Sequence, residues 1–197
     1  EPTKTPLDNY GVVRIGGEDA IDFLHAQFSG DCLALSNDET SLTSWCTPKG
    51  RVLYLVRLVR QQKFFYLLLP FEQAADFCKR LSMFVLRAKV EIDDLSAGYG
   101  GIVANKPTGD EGLSQEWYIE RFETLGGIWS QLSAAPIGGA ATSLVDVRLG
   151  LPRLAKSLSD KFLPQELNLD ALGGVSFEKG CFPGQEIIAR VKFRGAV

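Results

Sequence analysis

The sequence has a single histidine, a single methionine and only four cysteines among its 197 residues. The cysteines, at positions 32, 46, 78 and 181, form no C-x-x-C pair, which argues against a zinc site or a run of iron–sulfur ligands. They also lack the dense pattern of a secreted disulfide scaffold. The sequence therefore predicts a reducing, cytoplasmic compartment, no metal site, and no iron–sulfur cluster ligated by this chain alone.

The lone histidine, His25, offers little for catalysis. It lies in segment Ala20–Phe28, where Ile21, Leu24 and Phe28 recur at helical spacing. A histidine on the edge of a helix is favoured over a metal ligand. With no other histidine in the sequence, no obvious Cys-His or Ser-His pair is available beyond it.

Long apolar runs and an excess of positive charge are also missing. No run approaches the roughly 20 residues of a membrane helix, and no signal peptide is visible, although the sequence begins at Glu1. The net charge of −3 argues against a general nucleic-acid binder. The 45% of hydrophobic residues supplies a sizeable core. We expect one large or two small domains, with no membrane contact and no direct nucleic-acid binding.

The first half of the chain alternates strand and helix patterns in the order β-α-β-β-β-α-β, which predicts an α+β domain with a mostly antiparallel sheet. The segment Thr47–Gly50 contains a proline and a glycine at positions typical of a hairpin turn. In the second helix Cys78 falls on the apolar face and is predicted to be core. The predicted strands are Tyr10–Ile15, Leu42–Cys46, Arg51–Arg60, Phe64–Leu69 and Lys89–Ile92, and the helices are Asp19–Phe28 and the segment opened by Pro70.

A glycine-containing stretch, Ser96–Gly101, marks a domain boundary. We predict an N-terminal α+β subdomain at residues 1–97 and a second α+β subdomain at residues 98–197. The second is expected to contain strands near Gly101–Ala104, Trp117–Phe122 and Ser143–Leu149, an exposed polar loop at Asn105–Gln115 and a helix at Thr124–Ala134.

The segment Lys179–Glu186, K-G-C-F-P-G-Q-E, joins a thiol, a turn and a helix start within eight residues. Pro183 suits the first helical position, because its missing N–H needs no partner there. Cys181 would then precede a helix N-terminus beside Lys179, and both features favour thiolate over thiol. The alternative is a small buried hydrophobe that happens to precede a turn.

Basic residues cluster around this segment, namely Lys179, Arg190, Lys192 and Arg194. The cluster is suited to an anion such as a carboxylate or phosphate, and a solvated helix face explains it equally well. Glu186 and Arg190 lie one helical turn apart, so we expect them to pair. Gly180 and Gly184 are expected to let the backbone bend around the thiol.

The K-G-C-[FY]-x-G-Q-E pattern, followed by Ala189-Arg190 and Lys192-Phe193-Arg194-Gly195, resembles the signature of the YgfZ family, the folate-binding relatives of the glycine-cleavage T-protein. Weaker likenesses run through the first half: G-E-D-A at 17–20 with Phe23, Leu24 and Gln27, S-G-D at 29–31, and P-K-G-R at 48–51. The resemblance implies two α+β subdomains in a T-protein-like ring around a central folate cavity. It also implies a C-terminal β-barrel domain beyond the K-F-R-G segment, which this sequence does not contain.

The resemblance further implies a folate-binding accessory protein with tetrahydrofolate as cofactor. Such a protein supports the maintenance of iron–sulfur enzymes, which would be its protein partners, and some tRNA modifications. The motif cysteine on which the role depends is Cys181. The rest of the signature is Lys179, Gly180, Gly184, Gln185, Glu186 and Arg190.

Two departures from the wider T-protein pattern bear on the chemistry. The aromatic positions associated with folate fall at Tyr10, which can stack on a flat ring, and at Leu144, which offers only aliphatic contact. The glutamate that reads the pteridine in T-proteins falls near Arg148, and a guanidinium has no acceptor for ring N–H groups. Asp31 and Asp146 are candidate polar groups near the cavity, with surface or capping roles as the alternative.

Three function classes follow. The first is the folate-dependent accessory factor that uses Cys181. The second is a folate-dependent aminomethyltransferase or other one-carbon transfer enzyme, which the cysteine motif and Arg148 both disfavour. The third is a scaffold that binds partner proteins and performs no chemistry.

Overall fold

A computed structural model describes residues 3–6, 10–108, 112–121, 146–147 and 150–195. In chain order the elements are β1 (Thr3–Pro6), β2 (Tyr10–Gly16), α1 (Ala20–Gln27), β3 (Thr40–Cys46), β4 (Val52–Gln61), β5 (Phe64–Pro70), α2 (Phe71–Ser82), β6 (Glu91–Asp94), β7 (Tyr99–Thr108), β8 (Gly112–Arg121) and α3 (Gln185–Arg194), with short 3-10 helices at Lys156–Leu158 and Pro164–Leu167.

The centre of the fold is a five-stranded antiparallel sheet in the order β3-β4-β5-β2-β6. This confirms the predicted α+β class and the β-α-β-β-β-α-β order of the first half. The last strand begins two residues later than predicted, at Glu91. Adjacent residues of β4 face opposite sides, since Tyr54 and Val56 belong to one core cluster and Leu55 to the other. Burial on both faces explains the nearly continuous apolar run of this strand.

The first core lies between the sheet and the two helices α1 and α2. An aromatic group forms its centre: the Trp45 and Tyr54 rings stack with centroids 5.6 Å apart. The Phe77 ring meets both edge-on at 5.9 and 5.1 Å. These geometries are the favourable ones for aromatic pairs, and they fix α2 against the sheet.

Helix α2 is rotated relative to the stripe that its sequence predicts. Phe71 is 59% exposed and Cys78 is only half-buried at the edge of the core, so the prediction of a core cysteine was wrong. Phe77, rather than its neighbour Cys78, faces the Trp45–Tyr54 stack, because the larger apolar side chain contributes more when it is buried.

A second, three-stranded antiparallel sheet has the order β1-β7-β8. Strand β7 runs to Thr108 and β8 begins at Gly112, so the predicted exposed loop at Asn105–Gln115 was wrong for most of its length. The predicted domain division between residues 97 and 98 stays a prediction. Strand β1 lies before this division in sequence, and it pairs with β7, which lies after the division.

Several predictions fall on residues outside the described ranges. These include the helix Thr124–Ala134 and the folate-associated positions Leu144 and Arg148. Of the predicted strand Ser143–Leu149, only Asp146 and Val147 are described, and both are helical.

The C-terminal segment, residues 150–195, covers the β3–β4 part of the second face of the five-stranded sheet. Leu154, Leu169, Val175, Phe182 and Ile188 pack there against side chains of β3 and β4. This packing carries the K-G-C-F-P-G-Q-E segment onto the sheet. Within the described residues, no helix combines the length and the apolar character that crossing a membrane requires.

Candidate functional site

The Thr47–Gly50 turn lies directly against the start of α3. Gly184 caps this helix with a left-handed backbone, φ 82°. A Cβ at Gly184 would lie only 2.4 Å from the Thr47 carbonyl oxygen and 2.6 Å from the Gly50 Cα. The P-K-G-R segment and the cysteine motif, more than a hundred residues apart in sequence, therefore form one close backbone contact that only glycine permits.

The loop after α1 joins the same region. The Ser29 hydroxyl donates to the Gly174 carbonyl at 2.7 Å, and the Ser29 carbonyl accepts from the Ser176 amide at 2.8 Å. Asp31 is exposed, and its carboxylate accepts from the Leu33 and Ala34 amides, so its observed role is to cap a local turn. The S-G-D segment thus holds the chain before the motif through Ser29 and accepts from the motif lysine through the Gly30 carbonyl.

Cys181 is exposed, whereas Cys32 and Cys46 are buried and Cys78 is half-buried. Burial raises the pKa of Cys32 to about 12, and the pKa of Cys46 to about 11. Burial, followed by the nearby Asp94 and Asp93 carboxylates, raises the pKa of Cys78 to about 12. These three thiols are held in the inert protonated form, and Cys181 is the thiol that a reagent in solution can reach.

We therefore expect iodoacetamide at pH 8 to modify one thiol of the four in the native protein. The reason is that alkylation requires an accessible thiolate, which the other three positions do not supply. Mass spectrometry of the digested protein locates the label. Labelling of Cys78 at a rate close to that of Cys181 would contradict this assignment, and complete labelling in denaturant serves as the control.

The predicted electrostatic partnership between Lys179 and Cys181 is not what the structure shows. Lys179 is 9% exposed, and its ammonium donates to the backbone carbonyls of His25, Phe28 and Gly30. Burial lowers the pKa of Lys179. The lysine is thus bound to the C-terminal end of α1, which carries the negative end of the helix dipole.

Helix α3 differs from its prediction in three details. It begins at Gln185, with Gly184 as its cap, and Pro183 lies in the preceding turn because Gly184 adopts a conformation outside the helix. Glu186 and Arg190 are both exposed, and none of the ion pairs among the described residues joins them. A Cβ at Gly180 would have no described atom within 4 Å, and the φ of Gly180 is not positive, so the tight bend belongs to Gly184 alone.

The predicted basic cluster is divided among three environments. Lys179 is buried under α1, and Lys192 pairs with Asp170 at 3.1 Å. Arg190 and Arg194 remain on the exposed face of α3 beside Phe193, which is 73% exposed. The four basic side chains therefore do not converge on one anion site.

A cleft of about 420 Å³ opens beside Tyr10, at the start of β2. Its volume lies within the size range of small-molecule sites. Tyr10 forms one wall, and the Arg153 guanidinium lies 5.1 Å from the centre of its ring. The remaining lining residues are Pro70, Phe71, Glu72, Leu154 and Ala155. Burial raises the pKa of Tyr10, so this phenol stays neutral at physiological pH.

A charge cluster supports this wall of the cleft, with Arg57 and Asp146 buried and Arg153 exposed. The Asp146 carboxylate accepts from Arg57 at 3.2 Å and from Arg153 at 2.9 Å. Arg57 also hydrogen-bonds Tyr10, and burial lowers the pKa of its guanidinium. The two arginines and the Asp146 carboxylate carry a net positive charge, which the Glu72 carboxylate in the cleft lining offsets, so the cleft offers a ligand both a donor and an acceptor.

Sequence reasoning named Tyr10 and Asp146 but missed Arg57 and Arg153. Arg57 had a usable signal, because a charge inside the apolar run of β4 needs a buried partner. Arg153 had none, since its place beside Tyr10 depends on a contact between residues far apart in sequence. The cleft and the cysteine motif share one core: Leu154 lines the cleft and packs in the same cluster as Phe182.

Among the residues that the structure describes, no three potential metal-ligating side chains lie together. A cavity of about 20 Å³ leads from the cleft toward Arg57, enough for about one water molecule. The cleft itself has room for an organic ligand, and a more open depression of about 380 Å³ lies beside Arg190, Phe193 and Arg194 of α3.

No protein-family model matches the chain, whereas individual curated proteins do. A tRNA-modifying protein YgfZ from Edwardsiella ictaluri is 30% identical over 221 residues, covering 96% of this chain and 67% of the relative. An uncharacterized protein from Haemophilus influenzae is 32% identical, covering 96% and 69%. A tRNA-modifying protein YgfZ from Vibrio atlanticus is 27% identical, covering 97% and 66%.

Among solved structures, the aminomethyltransferase T of the glycine cleavage system from Bartonella henselae superposes with a TM-score of 0.66 at 11% identity. The match covers 98% of this chain and 63% of that protein, so it concerns the fold alone. This chain spans about two thirds of the length of the curated relatives. By sequence the chain belongs to the YgfZ family, and its fold is that of the glycine-cleavage aminomethyltransferase.

Proposed function

We propose that this protein binds a reduced folate, such as tetrahydrofolate, in the cleft beside Tyr10 and thereby supports tRNA modification and the maintenance of iron–sulfur enzymes. The names of the YgfZ relatives support the tRNA part. The family signature around Cys181 supports the folate and iron–sulfur parts. In this role the protein works in the cytoplasm, with iron–sulfur proteins as its partners.

The cleft is the observation that carries the proposal. A folate combines a flat pteridine ring with a tail that ends in carboxylates. Tyr10 offers an aromatic surface for a ring, and Arg153 offers N–H donors for a carboxylate. Glu72 also lines the cleft and supplies the acceptor for ring N–H groups that an arginine at position 148 lacks.

Cys181 is proposed as the group on which the biological role depends. It is the exposed thiol of the family signature, and it lies three residues before Gly184, the cap of α3. Phe182 and Leu154 connect it to the cleft through one hydrophobic cluster. Ligand in the cleft and partner at the thiol can therefore influence each other through packed side chains.

The alternative function is folate-dependent one-carbon transfer, which the aminomethyltransferase fold favours. The residue type at Arg148 disfavours it, because a guanidinium cannot accept the pteridine N–H bonds. A turnover assay for tetrahydrofolate-dependent amine demethylation separates the two functions. An accessory factor binds the folate and shows no turnover.

Calorimetric titration with tetrahydrofolate under anaerobic conditions tests the proposed site. We expect Arg153→Ala to weaken binding about tenfold or more, because a charge-assisted hydrogen bond contributes about 1.5–3 kcal/mol. The buried Arg57–Asp146 pair stays in place in this variant, so the buried carboxylate keeps a charged partner. Arg87→Ala, at an exposed arginine that does not line the cleft, serves as the matched control and should bind as the wild type does.

Two results would overturn the proposal at different levels. No heat in the wild-type titration, with no competition by folate analogues, would exclude folate as the ligand. Unchanged affinity of Arg153→Ala would retain folate and place its site elsewhere.

A further inference from the structure

The exposed thiol of Cys181 stands between two buried side chains. Lys179 is 9% exposed and Phe182 is 7% exposed, while Cys181 and the intervening Gly180 are exposed. We call these two buried side chains the anchors. A surface residue two positions from one anchor and adjacent to the other has little conformational freedom. The geometry of the thiol therefore depends on what holds these anchors.

The Lys179 ammonium is held by three carbonyls from one short stretch of chain. It donates to the Phe28 oxygen at 2.6 Å, to the Gly30 oxygen at 3.1 Å and to the His25 oxygen. An ammonium has three N–H donors, so all of them are used. The acceptors lie in the last turn of α1, at its C-cap and just beyond it, where helix carbonyls have no intrahelical partner.

The second anchor reinforces the first. The Phe182 ring packs in the core cluster of the C-terminal segment, and the Lys179 ammonium lies 5.2 Å from its centre. This is a cation–π distance, and such contacts are stronger when the cation is desolvated. The Lys179 amide also donates to the Ser176 hydroxyl at 3.3 Å, which closes the turn before the thiol.

We infer that Lys179 is a positioning residue for Cys181: by binding three carbonyls at and just after the C-terminal end of α1, it fixes the position of the exposed thiol. An arginine cannot replace it, because a planar guanidinium does not direct three N–H groups at three converging oxygens. This inference rests on the proposed role of Cys181 as the working thiol. In this role Lys179 positions the thiol through the backbone rather than by contacting it directly.

A nitroxide label attached to Cys181 reports the order of this segment directly, since the other three thiols are inert. The variant Lys179→Met keeps the length and apolar stem of the side chain and removes the three donors. We expect the label to move at least about twofold faster in Lys179→Met than in the wild type. The matched control Lys79→Met, at an exposed lysine of α2, should leave the spectrum unchanged.

Buried Cys46 distinguishes local loosening from general unfolding. If Cys46 stays unlabelled while the Cys181 label gains mobility, the loosening is confined to the motif, as the inference requires. An unchanged Cys181 spectrum in Lys179→Met would overturn the inference. A mobility gain that occurs only together with Cys46 labelling would also overturn it, since Lys179 would then support the whole fold rather than the thiol.

The wild-type protein provides a second test that needs no folded variant. Acetic anhydride should modify Lys179 at least about tenfold more slowly than Lys79, and the label on wild-type Cys181 should give a restricted spectrum. Equal acetylation rates, or a freely mobile label, would contradict the inference. None of these measurements depends on folate or on tRNA, so the failure of the proposed function leaves their outcome unaffected.

Discussion

Replacing Cys181 by serine is expected to abolish complementation of a strain that lacks this protein. The free energy of unfolding should stay within about 0.5 kcal/mol of the wild-type value, because substitutions at exposed positions seldom exceed this. Serine preserves the size of the side chain but loses the ionisable thiol. Growth of the deletion strain measures the first quantity and denaturant unfolding of the purified variant measures the second.

The matched control is Cys78→Ser, the same substitution at a thiol outside the motif. Cys78 is half-buried, and its raised pKa makes it unreactive. We expect this variant to complement, with at most a modest loss of stability. Full growth with Cys181→Ser would remove the thiol from the proposed function, and equal loss of growth in both variants would show that the effect is not specific to the motif.

Gly184→Ala is expected to destabilise the protein by about 3 kcal/mol, among the larger effects of a single substitution. The new Cβ would come within 2.4 Å of the Thr47 carbonyl oxygen and 2.7 Å of the Gly50 nitrogen. Both contacts are to backbone, which cannot rotate away. The φ of 82° adds a conformational cost for any residue with a Cβ. Thermal unfolding should shift downward by roughly 6–12 °C.

Gly180→Ala is the control from the same motif. No described atom lies within 4 Å of the position that its Cβ would take, and the φ of Gly180 is not positive. Its melting temperature should therefore remain within about 2 °C of the wild type. Equal stability of the two alanine variants would show that the Thr47–Gly50 turn does not pack on the motif as described.

The five-stranded sheet could be predicted because its strands carry local information. Apolar alternation and β-branched residues mark β2 to β5, and the Thr47–Gly50 turn separates two of them. The rotation of α2 could not be predicted in the same way. Phe77 and Cys78 are adjacent and both apolar, and only the position of the Trp45–Tyr54 stack decides which one faces inward.

The second sheet was only partly predictable, because its pairing is remote in sequence. Strand β1 has four residues and ends in Pro6, and it pairs with β7 almost a hundred residues later. Strand β7 continues through polar residues to Thr108 and includes Pro107, which is typical of a loop. Among the described residues, Pro107 lies beyond the part of β7 that pairs with β1 and has a neighbouring strand on one side only, where proline is tolerated.

The candidate site shows the same division between local and remote information. The thiol motif, the glycine at position 184 and the start of a helix are all encoded within a few residues. The partners of Lys179 are not, because they are backbone carbonyls that lie 151 positions away in sequence in the case of Phe28. Arg153 was missed for the same reason, since its contact with Tyr10 joins residues far apart in sequence.

The most direct test of the central claim is a crystal structure of the protein with a reduced folate, such as 5-formyltetrahydrofolate. The proposed function predicts ligand density in the cleft of about 420 Å³, with a carboxylate or ring edge within hydrogen-bond distance of the Arg153 guanidinium and a ring against Tyr10. Density at a site that contacts neither residue, or an empty cleft at saturating ligand, would contradict it.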